Sequence, residues 1–373
     1  MEHAESIAFV QEKFSAFYSN HELSVPEIHR REFGFGIHKK IDFRHKAFRT
    51  AIELNAYLRQ QPPLFASYST ALYEFPAARP MEKKVFLGSD LVFDIDEPTR
   101  DFPHDHNDIF CVECFGRVKK DAVKILDYLR EDFGFKGVAV NYSGNKGFHF
   151  HLRSGEVRGL SQDSRRQLTE YLTGPESVFI AGEEKGKDTD LRGPSEKSLG
   201  WGKKFFDYAF AFLEGASLDE IKEKGLRGLR AEEFFLKKKT ILDLMRKGRW
   251  VFAPKKFWDA VYEEFKKENS VGVDAHVTLD LARLIRIPGS LHGETALAAK
   301  GVDVERMPEF SLRGCVVFSN EKTINILPQI DIALDFPERL FLKKNEPCEV
   351  SLASGLFLLC KGKATFLLRE KNW

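Results

Sequence analysis

Cysteine is scarce in this sequence: five residues in 373, at positions 111, 114, 315, 348 and 360. Such a count does not make a disulfide scaffold in an intracellular-looking chain, and it leaves the five as thiols or metal ligands. Long apolar runs are also missing. The longest candidate, Leu352–Cys360, falls far short of the roughly 20 residues of a membrane span. The N-terminal M-E-H-A-E-S carries acids and no apolar core, so no secretory signal is expected. Neither charge sign is in excess, with a formal net charge of +1. Overall charge therefore says nothing about nucleic acid, and any phosphate site must come from a local cluster. There is no internal repeat. What is present in quantity is apolar and aromatic: 43% hydrophobic and 13% aromatic residues, 34 of them Phe, enough for a sizeable core in one large domain or two.

The stretch around which the chain is organised is L-V-F-D-I-D at 91–96. Apolar, β-prone residues lead into two aspartates separated by one isoleucine, which reads as a buried strand. Alternation along a strand puts Asp94 and Asp96 on one face, with Cα atoms about 7 Å apart. Carboxylates at that spacing can share a divalent ion or a metal pair. Without a cation they repel, and one tends to keep its proton. The bland alternative is a strand running into a polar turn, since Glu97 and Pro98 follow.

The rest of the chain is read in order. Residues 1–30 carry helix-like apolar spacing, 33–37 and 40–44 suggest strands, 47–60 a helix and 67–74 a strand. A polar loop over 97–110 then leads into H-D-H-N-D-I-F-C-V-E-C. His104, His106, Cys111 and Cys114 fall within a few turns of chain. Cys-x2-Cys aims two thiolates at one point, and the imidazoles could complete a tetrahedral zinc site. The short H-x-H spacing leaves room for one histidine as a bystander, and two free cysteines beside two surface histidines is the competing reading. A helix over 117–134 and a strand over 138–142 run into S-G-N-K-G-F-H-F-H-L. Gly144 and Gly147 permit a tight turn whose backbone N–H groups suit phosphate oxygens, and Lys146 and His149 add charge or donors. His149 and His151 share one strand face. An ordinary hairpin with polar tips is the alternative.

From about 160 to 270 charge density rises and helical periodicity takes over. A loop is expected near 183–203, then helices at 204–214, 217–224, 230–247 and 255–268, whose charge runs are solvated faces. Residues 271–293 then offer two acids, Asp274 and Asp280. A helix starting near Thr278 would carry Arg283 and Arg286 three apart, before Pro288-Gly289 turns the chain toward His292. The remainder alternates short strands and loops, with the apolar run at 352–367 closing a sheet.

Taken together, R-E-F-G-F (31–35), L-V-F-D-I-D (91–96), the His/Cys knuckle, D-F-G-F-K leading into Y-S-G-N-K-G-F-H (142–149), and L-I-R-I-P-G-S-L-H-G (284–293) resemble the catalytic small subunit of archaeal and eukaryotic replicative primases, the archaeal form most closely. The motifs occur in the family's order and approximate spacing across most of the chain. The resemblance implies an α/β (α+β) fold: a catalytic core with mixed sheets over 1–160 and 270–373, a zinc knuckle at about 101–116, and a mainly helical insertion over 161–269. It implies primer synthesis on single-stranded DNA from NTPs or dNTPs. It further implies a heterodimer with an iron–sulfur large subunit, and a cytoplasmic, nucleoid-associated place in an archaeal source. By position, Asp94, Asp96 and Asp274 are the metal-binding carboxylates, Asp280 is not, and Glu32 matches an acidic active-site position. Ser143, Lys146 and His149 match the triphosphate loop, and Arg283, Arg286 and His292 a second triphosphate wall. Arg44 is a further phosphate contact.

Two departures stand out. Lys146 replaces a frequent Arg and loses its bidentate fork, with Asn145 before it where a base is common. The knuckle is not all-Cys. The chemistry agrees with the residues: phosphoryl transfer needs charge stabilisation more than covalent help. Two Mg²⁺ or Mn²⁺ ions about 4 Å apart suit carboxylate oxygen ligands, while the zinc is structural. A repair-type primase-polymerase extending existing ends and a non-catalytic zinc-containing nucleic-acid-binding subunit are the competing functions.

Overall fold

The computed structural model describes residues 2–99, 104–107, 109–180 and 191–368. The chain divides into two compact units. Unit 1 comprises Met1–Leu126, Phe135–Gln167 and Gly272–Trp373; unit 2 comprises Asp127–Gly134 and Leu168–Val271.

In chain order the elements are α1 (Glu2–Asn20), β1 (Phe33–Gly36), β2 (Phe43–Lys46), α2 (Ala51–Gln60), β3 (Phe65–Ser69), β4 (Ala71–Tyr73), β5 (Phe86–Ser89), β6 (Leu91–Ile95), α3 (Val112–Asp127), β7 (Ala139–Tyr142), β8 (Phe148–Leu152), α4 (Gly155–Arg158) and α5 (Gln162–Thr173). There follow β9 (Leu191–Arg192), α6 (Gly200–Gly215), α7 (Leu218–Glu223), α8 (Leu229–Leu236), α9 (Lys238–Met245), β10 (Arg249–Trp250) and α10 (Lys255–Asn269). The chain closes with α11 (Ala275–Leu279), β11 (Leu284–Arg286), β12 (Gly301–Val302), β13 (Thr323–Pro328), β14 (Ile332–Leu334), β15 (Leu340–Leu342), β16 (Cys348–Ser351), α12 (Leu352–Cys360) and β17 (Ala364–Leu367).

Unit 1 holds two four-stranded sheets, ordered β11-β3-β1-β2 and β12-β7-β8-β6. Smaller sheets, β16-β13-β17, β14-β15 and β4-β5, surround them. Every strand pairing among the described residues is antiparallel, so the mixture is of helix with sheet, not of strand direction. Phenylalanine fills the interior: Phe33, Phe35, Phe48 and Tyr57 form one aromatic cluster, and Phe115, Tyr142, Phe148 and Phe310 another. Unit 2 is helical, with a two-stranded ladder of β9 and β10 and a core of Phe205, Trp250, Trp258 and Tyr262.

Three local expectations give way. Arg283 and Arg286 are not on a helix. The helix is only α11, and Leu284–Arg286 pairs with Ser67–Ser69 as an edge strand. The β-branched Ile285 and Ile287 favour that pairing, and Ile287 N donates to Ala66 O at 3.0 Å. Leu352–Cys360 is a helix, not a strand. It is apolar on every side, so its pattern has no period to read, and Ser351 caps it by accepting from Ser354 N. Residues 230–247 are two helices meeting at Lys237, not one.

Beneath the first sheet lies a buried knot of charge. Arg31 and Asp90 are fully buried, with Arg31 Nη2 donating to Asp90 Oδ2 at 2.7 Å. Arg158 Nε donates to the other carboxylate oxygen at 2.9 Å. Arg165, also buried, donates to the backbone oxygens of Asp90 and Ser89. Removing Asp90 leaves the fully buried Arg31 guanidinium without its carboxylate. Asp90→Ala should therefore cost about 3–5 kcal/mol of stability, readable from urea unfolding; a loss under about 1 kcal/mol would mean that water replaces the carboxylate.

Candidate active site

The site grows from the β6–β8 ladder. Asp94 sits opposite His149 in that ladder, and His149 Nε2 approaches Asp94 Oδ1 at 3.5 Å. The loop 143–147 then folds back over the end of β6. Gly147 is obligatory there, since a Cβ on it would lie 1.7 Å from Ile95 O. Gly144 has φ +85, and its Cβ would meet that of His292 at 2.8 Å. Ser143 Oγ ties the turn by accepting the N–H groups of Asn145 (3.3 Å) and Gly147 (3.2 Å). Those two N–H groups are thus already engaged within the loop.

A cavity of about 380 Å³ opens over these elements. Asp94, Asp96, Ser143, Lys146, His149, Arg283, Arg286, His292 and Arg44 all line it, together with Asp280. Asp274 does not line the cavity, but it lies beside the two aspartates: Asp274 N donates to Asp94 O at 2.9 Å, and its charge acts on both carboxyls. Asp280 sits on the rim, exposed, and its charge acts instead on Arg44 and Tyr73.

Burial pushes the Asp94 carboxyl up to about 7, and the charges of Asp96 and Asp274 push the same way. Asp96 is raised too, by burial first and then by Glu97 and Asp274. Asp94 Oδ1 is buried without a hydrogen-bond partner. Carboxylates that repel each other around an unsatisfied oxygen are what a divalent cation relieves. On the opposite wall Arg286 Nη1 is likewise buried and unpartnered, and its guanidinium lies over the Phe65 ring at 5.5 Å. Burial lowers Arg286 to about 10, which leaves it charged at neutral pH. An unpartnered buried guanidinium suits an anion. The histidines differ from a charged wall. Burial, then Arg286 and Arg283, take His149 down to about 3, and His292 is also held well below its ordinary value. Both are neutral in the ligand-free site.

Glu32 adjoins the cavity without lining it. It is fully buried, and its carboxylate accepts from Arg44 Nε (2.7 Å), Arg44 Nη2 (3.1 Å) and His45 N (3.0 Å), with Lys84 Nζ at 3.3 Å. Burial would raise it, but Arg44 and then Lys84 hold it below the usual carboxylate range. The acid position therefore supports Arg44 from beneath and offers no oxygen to the cavity.

Lys40 lines the cavity, and its charge reaches Asp94 and Asp96. The sequence placed Lys40 only at the start of an expected strand over 40–44 and gave it no role. Ser67 and Asn145 also line the cavity; Asn145 belongs to the S-G-N-K-G loop, and nothing in its local sequence marks Ser67.

A separate cluster forms at the start of α3. One ligand atom each from His104, His106, Cys111 and Cys114 lies within 4.8 Å of all the others. His104 Nε2 stands 3.3 Å from Cys111 Sγ and 3.2 Å from Cys114 Sγ, and His106 Nδ1 is 3.5 Å from Cys114 Sγ. Both histidines belong to the set, so four N and S donors converge as a tetrahedral site requires.

An acid whose folded-state value is raised destabilises the fold once it ionises. For Asp94 that penalty is absent below the unfolded value of about 4, accumulates as the pH rises, and is complete above about 7. The melting temperature of metal-free protein should carry this loss between about pH 4 and 7 and level off above, and Asp94→Asn should restore roughly 2 °C or more at pH 8. Added Mg²⁺ or Mn²⁺ should raise the melting temperature of the unsubstituted protein more at pH 8 than at pH 5.5. Equal metal shifts at both pH values would show that this carboxyl is not where the ion binds.

The sequence matches the family model described as DNA primase small subunit over residues 93–304, more than half of the chain. The chain is similar to proteins named DNA primase small subunit PriS in several archaea. It is 30% identical to that of Methanosarcina barkeri over 96% of each chain. It is 28% identical to that of Methanococcoides burtonii, and 29% to that of Archaeoglobus fulgidus, each over 96% of this chain and 98% of the relative. With the model spanning the aspartate strand, the glycine loop and the arginine strand, the chain belongs to the DNA primase small subunit family.

Proposed function

We propose that this chain builds primers by metal-assisted nucleotidyl transfer in the cavity above β6 and β8. As a primase small subunit it is a catalytic, polymerase-type subunit for DNA replication, working with a large subunit and a DNA template. The observation that carries the mechanism is one cavity with an unsatisfied carboxylate oxygen on one wall and an unsatisfied buried guanidinium on the other.

In this reading Asp94, Asp96 and Asp274 hold Mg²⁺ or Mn²⁺, which would activate the primer 3′-hydroxyl and offset charge on the phosphates. Arg286, Arg283 and Lys146 take the triphosphate of an NTP or dNTP. Ser143 shapes the loop, and neutral His149 and His292 donate hydrogen bonds to the phosphates without adding charge. Arg44, held by Glu32, faces the phosphates from the β2 side. Glu32 is a positioning residue here. Lys40 adds a cation opposite the carboxylates.

Zn²⁺ is the ion we assign to His104, His106, Cys111 and Cys114. All four positions are taken by protein, which leaves none open for chemistry and makes the site structural. The partner we assign is an iron–sulfur large subunit that aids initiation. Cys315, Cys348 and Cys360 are too widely spaced to hold such a cluster in this chain. The place of action is the cytoplasm, at the chromosome. No helix among the described residues is long and apolar enough to cross a membrane.

A synthesis assay on single-stranded DNA, with NTPs and with dNTPs, tests this. Asp94→Ala and Asp96→Ala should abolish product by about 10³-fold or more while melting stays cooperative, as loss of a charge-stabilising group at the reacting centre predicts. Asp274→Ala should be far more damaging than Asp280→Ala. Equal, complete loss at 274 and 280 would undo the choice of third carboxylate.

Metal analysis of freshly purified protein should find one zinc per chain, and Cys111→Ser with Cys114→Ser should release it. That loss should lower the melting temperature by more than it slows synthesis at 25 °C. Protein with no firmly held zinc would remove the structural reading.

A further inference from the structure

We propose that the hairpin formed by β4 and β5 is a platform for single-stranded nucleic acid, on which template bases stack against Phe75 and Phe86 beside the cavity. This rests on the primase reading and deepens it by placing the template on one surface.

The hairpin carries large apolar side chains in the open: Phe75 is 57% exposed, Phe86 50%, Val85 49% and Leu87 44%. Single exposed apolar residues are ordinary, but four within one short hairpin mark a surface that meets something. The hairpin is held firmly from inside. Glu74 N donates to Val85 O and Phe75 N to Lys84 O, extending the ladder past Tyr73. Lys84 is fully buried, bonded to Pro76 O, 3.3 Å from Glu32 and 5.2 Å from the centre of the Tyr73 ring. Val85, next to it, adopts φ +54, a costly backbone for a β-branched residue. The anchored Lys84 and the strained Val85 together turn Phe86 outward, with Tyr73 meeting its ring edge-on at 6.3 Å. The rings are therefore presented on a rigid support.

The same anchors connect the hairpin to the cavity. Lys84 contacts Glu32, Glu32 grips Arg44, and Arg44 lines the cavity. Arg79, within the hairpin, donates to Arg44 O at 3.1 Å. Arg44 thus lines the cavity with its side chain while its backbone oxygen holds Arg79 of the hairpin, which puts the hairpin beside the cavity. Arg79 and Lys83 are exposed beside the rings, and so are Glu74 and Glu82. Positive charge thus does not dominate, and the attraction is of base for ring. This is the mode that tolerates any template sequence, because every base has a flat face. It also suits a chain whose net charge is +1, where long-range attraction for phosphate is small. A protein partner such as the large subunit is the competing occupant. Continuity with the cavity and the aromatic character of the two most exposed side chains favour nucleic acid.

The test is fluorescence anisotropy of a labelled oligo-dT strand with the full chain, for the unsubstituted protein and for Phe75→Ala, Phe86→Ala and the double variant. All replace exposed side chains, so folding should be unaffected. Each ring removed should weaken binding about tenfold, the scale of one lost stacked base. Phe86→Trp should retain binding, whereas Phe86→Leu should not, which separates stacking from mere apolarity. The KM for NTP in primer extension at saturating template should stay unchanged in all five variants. Unchanged oligonucleotide affinity in the double variant would overturn the proposal. So would Phe86→Leu binding as well as Phe86→Trp, or lost large-subunit association with intact DNA binding. Failure of the unsubstituted chain to incorporate nucleotide would count against the primase reading alone, since the binding measurement stands without it.

Discussion

A single close approach governs the site: the backbone of Gly147 against Ile95 O. Any side chain at 147 would push the loop 143–147 away from the end of β6, and with it Lys146 from Asp96, whose carboxyl feels its charge. Gly144 makes the second tight contact, against His292, and Thr295 Oγ1 donates to Gly144 O. Two glycines thus let three segments far apart in sequence, 94–96, 143–149 and 283–292, meet around one cavity. The antiparallel register of β6 with β8 then decides that Asp94 faces His149 rather than a phenylalanine.

The cavity is built as opposed, frustrated charge. One side gathers carboxyls: Asp94 is raised by burial, Asp96 and Asp274, and Asp96 by burial, Glu97 and Asp274. The other keeps a buried guanidinium with an unused donor. Ligand-free, both sides carry a free-energy cost; metal and triphosphate together would relieve it. The surroundings show the opposite policy. Arg31, Asp90, Arg158 and Arg165 satisfy one another, as do Glu32, Arg44 and Lys84. These bonded sets just outside the cavity hold the unsatisfied groups within it in place.

How much of this was legible can be judged residue by residue. Alternation in L-V-F-D-I-D was enough to put Asp94 and Asp96 on one face, and Cys-x2-Cys with two nearby histidines was enough to suspect a cluster. The surroundings of Glu32 were not legible. Nothing in the R-E-F run shows that its carboxylate is fully buried, bonded to Arg44 and 3.3 Å from Lys84. Arg283 and Arg286 were misplaced on a helix because a three-residue spacing fits a helical turn, while the partner strand that claims them lies more than 200 residues earlier.

The local sequence, then, determined which groups were available: carboxylates two apart, a glycine-bracketed lysine, thiols three apart, and phenylalanine enough to build cores. Those depend on spacings of a few residues, where backbone geometry alone sets direction. The tertiary structure decided which of these groups face one another and which are buried and neutralised. Asp274 rather than Asp280 beside the carboxylates, two histidines rather than one in the cluster, Lys40 over the cavity and Phe86 turned outward all depend on long-range pairing and burial. Long-range pairing and desolvation are properties of the folded chain as a whole, and no short window of sequence contains them.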